Sequence, residues 1–273
     1  MHLLVVDIGN TDIKFGLFKD SRLLRHWRLA HDWRAASSPE AIGAALRASL
    51  QQQPDLVFEA LAYSSVVPDL DPVLRQAVLA DFPLSSHAIF AIRPEQSHLP
   101  VDFSGYASGQ LGMDRLVTAC GAYALHPHTP VMVFDFGTAT TLDLIDAEGV
   151  YQGGAIAPGL ALFSEILTEK TAQLPQVAVI GKAAEEIALG LNTVACMEAG
   201  LGLGYRGLVK ELLQAGHIKL ASPDCRVLAT GGLADAVLRL CGLTDHFNGI
   251  ESTLTLNGLA ILYERHRDDP PII

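Results

Sequence analysis

The sequence contains few aromatic and few basic residues. Aromatic residues make up 7% of the 273 positions, too few for the stacking platform that binds single-stranded nucleic acid. Lys and Arg number 19 against 30 Asp and Glu, so the formal net charge is -11. A field of that sign repels a polyanion, and no local basic patch offsets it. We therefore expect no nucleic-acid partner.

Long hydrophobic runs are also missing. The most apolar stretches, residues 3–6 and 155–163, are far shorter than the roughly 20 residues that a membrane-spanning helix needs. The first residues lack the basic segment and the small-residue cleavage site of a secretory signal. We therefore expect a cytoplasmic protein that makes no membrane contact.

Several catalytic signatures are absent. The four cysteines form no CxxC or Cys/His ligand pattern, which predicts reduced core thiols rather than disulfides or a zinc site. The ten histidines show no HxxxH or HExxH spacing, which disfavours a zinc hydrolase. The chain also lacks the GxSxG of α/β-hydrolases and the GxxxxGK[ST] of a Walker loop.

One pattern occurs twice. An apolar run ends at Asp7, and it is followed by a small polar turn at residues 9–11 and by a second apolar run. Residues 130–145 repeat this order with Asp135 as the acid. The separation is too long for a solenoid repeat and suits two copies of one domain. We expect each copy to open with a β-hairpin that has polar residues at its tip.

Helical periodicity lies between and after these hairpins. Ser37 or Ser38 can cap a first helix. A second helix is predicted from about Gly112, which places Asp114 and Arg115 in its first turn. A third is predicted over residues 193–214, where four glycines each weaken it by about 1 kcal/mol relative to Ala. A close helix contact or a dimer seam would compensate.

The doubled alternation of strands and helices predicts an α/β fold. We expect two similar lobes with a cleft between them, the first covering residues 1–120 and the second residues 121–273.

The first hairpin tip has the chemistry of a phosphate site. Asp7 ends a buried strand, and its carboxylate can hold Mg²⁺ directly or through water. Gly9, Asn10 and Thr11 then offer backbone N–H groups, an amide and a hydroxyl to phosphate oxygens. Lys14 adds a positive charge. Asp135, Gly137 and Thr138 repeat the tip, and two facing tips can grip a triphosphate and its metal from both sides.

The ordered motifs resemble those of the type III pantothenate kinases, a family in the acetate and sugar kinase and actin superfamily. The matching segments are residues 7–11, 65–68, 112–115, 135–141, 153–159, 171–175, 190–193 and 230–232. The resemblance spans about residues 3–262 and implies two ribonuclease-H-like lobes of the actin-like ATPase type.

The resemblance implies a reaction. The γ-phosphoryl group of ATP would pass to the primary hydroxyl of pantothenate and give 4′-phosphopantothenate, the first step of coenzyme A biosynthesis. An alcohol needs a proton acceptor for this transfer, and Asp114 matches the family's base. A helix N-terminus favours its ionised form. Arg115 would orient the substrate or neutralise charge on the transferring phosphoryl group.

The resemblance also implies ligand contacts. The ATP phosphates would meet the residues from Asp7 to Lys14 together with Gly137 and Thr138. Asp7 would serve Mg²⁺, and Asp135 would bind the monovalent cation, K⁺ or NH₄⁺, that the family needs. The pantothenate pocket would be lined by Tyr106, Gly112, Met113, Asp114, Arg115 and Thr193. Family members are usually homodimers whose pocket takes part of its wall from the partner, and the helix over residues 193–214 is the expected seam.

Two departures from the family pattern leave alternatives open. The loop from Tyr106 to Leu111 lacks the family's Asn-Pro pair, and Thr118 stands where Asn is usual. The chain is therefore either a pantothenate kinase or a kinase of another small hydroxy acid or sugar. A non-catalytic accessory protein of the same fold is a third reading, which the joint presence of Asp7, Asp114 and Asp135 disfavours.

Overall fold

The computed structural model describes residues 1–30, 39–53, 55–93, 99–107 and 109–267. The predicted cap at Ser37 or Ser38 lies outside these residues, as does Ser108 of the predicted pocket loop. The described chain forms two units. Unit 1 consists of the described parts of Met1–Pro100, Ala107–Ala124 and Leu254–Ile273, and unit 2 consists of Val101–Tyr106 and Leu125–Thr253.

Strands and helices alternate along the chain, as the sequence predicted. The strands are β1 (His2–Ile8), β2 (Asp12–Lys19), β3 (Arg22–Ala30), β4 (Ala60–Ser65), β5 (Ile89–Ala91), β6 (Val131–Phe136), β7 (Ala139–Ile145), β8 (Tyr151–Pro158), β9 (Arg226–Thr230) and β10 (Gly249–Ile250). The helices are α1 (Pro39–Gln51), α2 (Asp71–Asp81), α3 (Met113–Leu125), α4 (Leu160–Glu169), α5 (Thr193–Leu220), α6 (Ala234–Cys241) and α7 (Leu254–His266).

The sheet of unit 1 has the strand order β3-β2-β1-β4-β5. The hairpin of β1 and β2 is antiparallel, and β4 runs parallel to β1. Because side chains alternate along a strand, Leu4, Val6 and Ile8 point to one face, where they share a core with residues of α1 and α2. The other face carries Asp7, and α7 packs against β1, β2 and β4.

Helices α3 and α7 of unit 1 pack closely through two glycines. A Cβ atom added at Gly121 would lie 2.9 Å from the Cα of Gly258, and one added at Gly258 would lie 2.3 Å from a backbone oxygen of α3. The hydroxyls of Thr118 and Thr255 share a buried hydrogen bond of 2.9 Å at the same contact. The departure at Thr118 therefore has a structural use, and the contact holds the helix that begins with Asp114.

The sheet of unit 2 has the order β10-β9-β6-β7-β8, the same arrangement as in unit 1. The antiparallel hairpin of β6 and β7 corresponds to that of β1 and β2, and β9 runs parallel to β6 on its other side, as β4 does to β1. The two predicted copies of one fold and their opening hairpins are confirmed. The core lies between β6 and β7 on one side and the buried face of α5 on the other, with Phe134, Phe136, Tyr205 and Val209 among its members.

Helix α7 was not assigned to the first lobe by the sequence. It follows unit 2 in the chain, yet it belongs to unit 1. The predicted lobes, residues 1–120 and 121–273, have a single border and so place this helix in the second lobe.

Helix α5 is longer than predicted, with 28 residues that end at Leu220. The side chain of Asn192 caps it by accepting a hydrogen bond of 2.9 Å from the N–H of Ala195. Its glycines divide into two groups. Gly202 packs against Ile187 and Gly216 against Met132, whereas a Cβ atom at Gly200, Gly204 or Gly207 would meet no atom within 4 Å. The latter three form an open stripe of small residues on one helix face.

The four cysteines, all within the described residues, form no disulfide. Cys120, Cys225 and Cys241 are buried, as expected, but Cys196 is exposed on α5, so that part of the prediction is wrong. Burial raises the pKa of the Cys225 and Cys241 thiols to about 11. Within the described part of the chain, no helix combines the length and the apolar character needed to span a membrane.

Candidate active site

Asp7 lies between two polar side chains of neighbouring strands. It is paired in register with Lys14 on β2 and with Ser64 on β4, so the three side chains point to the same face of the sheet. The Ser64 hydroxyl donates to Oδ1 of Asp7 at 2.9 Å, and Nζ of Lys14 lies 3.5 Å from Oδ2. Asp7 is only 3% exposed, and a buried carboxylate is stable only with such partners.

The turn after β1 presents the next predicted residues. The N–H of Gly9 donates to the carbonyl of Asp12 at 3.0 Å, which closes the turn between the strands. A Cβ atom at Gly9 would lie 3.1 Å from that carbonyl oxygen. Asn10 and Thr11 are exposed at the tip, where a phosphate group can reach them.

Asp114 lies in the first turn of α3, as predicted. The N–H of Leu116 donates to the carbonyl of Gly112 and begins the helix, and the N–H of Arg115 donates to Oδ1 of Asp114 at 2.8 Å. Arg115 itself is buried, with 7% of its surface exposed. Met113 and Asp114 are partly buried.

The environment of Asp114 raises its pKa above the usual value of an aspartate. Burial is the main cause, and the negative charge of Asp7 adds to it. The hydrogen bond from the Arg115 N–H and the charges of Lys14 and Arg115 act in the opposite direction but are weaker. The expectation that the helix N-terminus leaves the ionised form favoured is therefore wrong in net direction. A raised pKa makes the ionised Asp114 a stronger base.

Gly112 leaves room for the carboxylate of Asp114. A Cβ atom at this position would lie 2.5 Å from Oδ1 of Asp114, well inside contact distance. The glycine at position 112 thus allows the Asp114 carboxylate to turn back over the helix start and accept a hydrogen bond from the Arg115 N–H.

Asp135 ends β6 in unit 2. Its register neighbours are Thr141 on β7 and Thr230 on β9. The Thr230 hydroxyl donates to the carbonyl of Glu251 at 2.7 Å. Gly231 has a φ of +94, and a Cβ atom there would lie 2.3 Å from Oδ1 of Asp135. Only glycine fits this turn, and its small size keeps space beside the carboxylate.

The second tip is held by the start of α4. The N–H of Gly137 donates to the carbonyl of Ala139 at 3.0 Å, and the N–H of Gly159 donates to the carbonyl of Thr138 at 2.9 Å. A Cβ atom at Gly159 would lie 2.2 Å from the carbonyl oxygen of Gly137. Thr138 is exposed at the tip, as Thr11 is in unit 1.

Two predicted pocket residues belong to unit 2. Tyr106 packs edge-on against Tyr151, with ring centroids 5.5 Å apart, and Phe103 packs against the same ring. The Tyr151 hydroxyl donates to Oδ1 of the buried Asp143 at 2.7 Å, which fixes the ring that Tyr106 contacts. Thr193 is the exposed first residue of α5.

The predicted site residues are thus found in two groups. Unit 1 brings Asp7 and Lys14 into contact and places Asp114 where the charge of Asp7 affects it. Unit 2 carries Asp135, Gly137, Thr138, Tyr106 and Thr193. Sequence reasoning missed Ser64, Tyr151 and Asp143. The serine adjoins a segment noted for its resemblance, but its partner is 57 residues away, so no local pattern signals the contact.

A metal ion here would need ligands besides the protein. In the described residues no group of three or more His, Cys, Asp and Glu side chains could hold a metal. Mg²⁺ in kinase sites is typically held by one or two carboxylates together with substrate phosphates and water. A single, well-oriented carboxylate such as Asp7 fits that kind of site.

The two duplicated sheets form a fold that solved structures share, among them a ROK family glucokinase from Streptomyces griseus, which matches with a TM-score of 0.50 at 16% identity and covers 97% of this chain and 100% of that chain. One solved structure, a conserved Campylobacter jejuni protein assigned to the Baf family of transcriptional activators, matches with a TM-score of 0.58 at 20% identity, covering 96% of this chain and 98% of that chain. At that identity the likeness shows the fold alone.

Comparison of the sequence with known families is more specific. The family model of the type III pantothenate kinases matches residues 3–215. The type III pantothenate kinase of Geobacter sulfurreducens is 36% identical over 271 residues, covering 97% of this chain and all of that protein. That of Pelobacter propionicus is 39% identical over 274 residues with the same coverage. The chain belongs to the type III pantothenate kinase family.

Proposed function

We propose that this chain transfers the γ-phosphoryl group of ATP to the primary hydroxyl of pantothenate and forms 4′-phosphopantothenate for coenzyme A biosynthesis. Family membership supports the reaction. The observation that carries the mechanism is the partly buried Asp114, whose pKa is raised at the start of α3 by burial and by Asp7. We propose a cytoplasmic location, which suits the use of ATP in biosynthesis.

Asp114 acts as the general base. The hydroxyl of pantothenate is a poor nucleophile, and its proton passes to a carboxylate as the phosphoryl group arrives. The raised pKa increases the proton affinity of the ionised Asp114 carboxylate. Gly112 and the Arg115 N–H hold its carboxylate in one orientation. The Arg115 guanidinium neutralises charge on the substrate or on the transferring group.

Each hairpin tip carries groups that bind phosphate. Asn10 and Thr11 supply an amide and a hydroxyl at the tip of unit 1, and Thr138, next to Gly137, supplies a hydroxyl at the tip of unit 2. Lys14 adds positive charge next to the first tip. Such contacts position the γ-phosphoryl group and lower the cost of charge that develops during transfer.

Asp7 holds Mg²⁺ directly or through water. Bound there together with phosphate oxygens, the ion supplies positive charge that offsets the negative charge of the nucleotide. Asp7 is suited to this task because Ser64 and Lys14 orient its carboxylate before any ligand arrives.

Asp135 binds the monovalent cation, K⁺ or NH₄⁺. The neighbouring Thr230 hydroxyl donates a hydrogen bond to the carbonyl of Glu251, and Gly231 leaves space next to Oδ1 of Asp135. The surroundings of Asp135 therefore offer oxygen ligands and the space that a large monovalent cation requires. The two acidic tips thus have different roles, with Asp7 serving Mg²⁺ and Asp135 serving K⁺ or NH₄⁺.

In unit 1, pantothenate binds at residues 112–115, and a second copy of the chain completes the pocket. Contacts of the substrate with Tyr106 and Thr193 of unit 2 remain predictions of the resemblance. Leu191, beside Thr193, is fully exposed, and Leu189 is 86% exposed. The open glycine stripe of α5 adds a face that another helix can approach closely. Sedimentation at assay concentration checks the homodimer, and a monomer under those conditions would remove it.

A coupled assay for ADP tests the reaction. Pantothenate, Mg²⁺ and K⁺ are supplied together, and Na⁺ and other small alcohols are substituted in parallel reactions. We expect ADP formation that requires both pantothenate and K⁺. Turnover only with another alcohol would show a kinase of a different hydroxy acid or sugar, for which the unusual loop after Tyr106 would be the reason. No turnover with any alcohol would leave the accessory-protein alternative.

A further inference from the structure

The Ser64 hydroxyl on β4 donates a hydrogen bond to the Asp7 carboxylate, and Ser64 belongs to none of the segments that resemble the family. We propose that Ser64 is a positioning residue that orients the Asp7 carboxylate for the binding of Mg²⁺ and the ATP phosphates. The inference rests on the proposed function of the first tip, since Asp7 must serve the nucleotide for its orientation to matter.

The geometry holds the carboxylate from two sides. Ser64 approaches Oδ1 from β4 at 2.9 Å, and Lys14 lies 3.5 Å from Oδ2 on β2. The strands of the two partners flank β1 in the same sheet, so backbone hydrogen bonds fix their spacing. The carboxylate of Asp7 therefore has both oxygens restrained by groups on opposite sides.

The serine is the more rigid of the two partners. Its side chain is short, has one heavy-atom rotor and is 1% exposed, so it has little freedom once the sheet has formed. Lys14 has a long, flexible side chain, is partly exposed and lies beyond ordinary hydrogen-bond distance at 3.5 Å. Without the Ser64 hydroxyl, Lys14 alone of these two partners would orient the Asp7 carboxylate, and the buried Oδ1 would lose this hydrogen-bond donor.

The second copy of the fold shows that this hydrogen bond is not simply a product of the topology. Thr230 has the same register relation to Asp135 that Ser64 has to Asp7. Its hydroxyl donates a hydrogen bond of 2.7 Å to the carbonyl of Glu251. A hydroxyl has one proton to donate. Thr230 therefore does not repeat at Asp135 the contact that Ser64 makes with Asp7 at the first tip, the one proposed to serve the metal.

The test compares three variants of the full chain. Ser64→Ala removes the donor, Ser64→Thr keeps a hydroxyl, and Ser65→Ala is the matched control on the next residue of the same chain segment. Ser65 is partly buried, and its hydroxyl accepts from the Val67 N–H at 3.1 Å rather than contacting Asp7. Calorimetry measures the binding of ATP with and without Mg²⁺, and the coupled assay measures kcat and the KM for each substrate.

We expect Ser64→Ala to weaken Mg²⁺-dependent ATP binding by about 10- to 100-fold, because a buried charged group loses a donor. The KM for pantothenate should change little. Ser64→Thr should recover most of the binding, and Ser65→Ala should match the parent.

Two results would overturn the inference. One is a folded Ser64→Ala chain with parental Mg²⁺-dependent ATP affinity. The other is a folded Ser64→Thr chain as impaired as Ser64→Ala, which would make volume rather than the hydroxyl decisive. If Ser64→Ala fails to fold, Ser64→Cys keeps a side chain in place with a much weaker donor and answers the same question. A parent that binds Mg²⁺ and ATP without phosphorylating pantothenate would refute the proposed substrate, while the binding comparison would still decide the role of Ser64.

Discussion

Replacing Asp114 with asparagine removes the proposed base and preserves its size. The oxygen of the amide can still accept the Arg115 N–H that Oδ1 of Asp114 accepts at 2.8 Å. The amide nitrogen cannot take a proton from an alcohol, so the variant keeps the local structure and loses the chemistry.

The expected loss of turnover follows from general-base catalysis. Such a group contributes about 10²- to 10⁴-fold in rate, which is about 3–5 kcal/mol of transition-state stabilisation at 1.36 kcal/mol per factor of ten. We expect kcat to fall by that range in Asp114→Asn. We propose that ATP binds at the hairpin tips, so the affinity for ATP should stay near the parental value.

The same substitution should not lower stability. An acid whose pKa is raised by folding destabilises the folded state when it ionises, and the penalty develops as pH rises from the unfolded pKa through the folded pKa. Burial and Asp7 place Asp114 in this situation. A neutral asparagine avoids the penalty. We expect Asp114→Asn to be at least as stable as the parent at about pH 8, with the difference disappearing below about pH 4.

Coupled kinetics and thermal unfolding at both pH values test the two expectations on one preparation. Near-parental kcat in a folded Asp114→Asn chain would move the base to another residue. A lower Tm than the parent at pH 8 together with a higher one at pH 4 would contradict the direction of the pKa shift.

Three further predictions concern other parts of the chain. Gly258→Ala should lower the free energy of unfolding by about 1–3 kcal/mol, since its Cβ would lie 2.3 Å from a carbonyl oxygen of α3. The control Gly43→Ala meets only a methyl at 3.3 Å, so its free energy of unfolding should stay within about 1 kcal/mol of the parental value. Equal urea midpoints for the two variants would contradict this. Asp135→Asn should raise the K⁺ concentration needed for half-maximal activity, and an unchanged K⁺ titration would rule out its role as ligand. Cys225 and Cys241 should resist alkylation at about pH 8 until the chain unfolds, and rapid labelling seen by mass spectrometry would refute their burial.

The duplicated hairpins could be predicted because their signal is local. An apolar run that ends at an acid and a small polar turn specify a strand and a tip within about 15 residues of sequence, and the pattern at Asp7 recurs at Asp135. The start of α3 was also predictable, because Gly112 precedes a helical period. The end of α5 was missed by six residues, because Gly216 looks like a helix end in the sequence but is packed against Met132 in the structure.

Contacts between distant segments could not be predicted in the same way. Ser64 meets Asp7 only because β4 pairs with β1 in one register, and no short motif encodes that register. Helix α7 returns to unit 1 through the close contact of Gly121 and Gly258, which a sequence shows only as two ordinary glycines.

The electrostatics of Asp114 show the same limit. Its place at a helix N-terminus was readable and favours the ionised form, but burial and the nearby Asp7 outweigh that effect. Both opposing causes depend on tertiary structure. The position of Asp114 in the first turn of α3 could therefore be predicted, whereas the direction of its pKa shift could not.

Phosphorus NMR of the reaction product is the most direct test of the central claim. After incubation of the chain with ATP, pantothenate, Mg²⁺ and K⁺, we expect a phosphate monoester whose phosphorus couples to the two protons of the terminal CH₂–O group of pantothenate. Phosphorus found only as inorganic phosphate, or coupled to the single proton at the secondary hydroxyl, would contradict the assigned transfer.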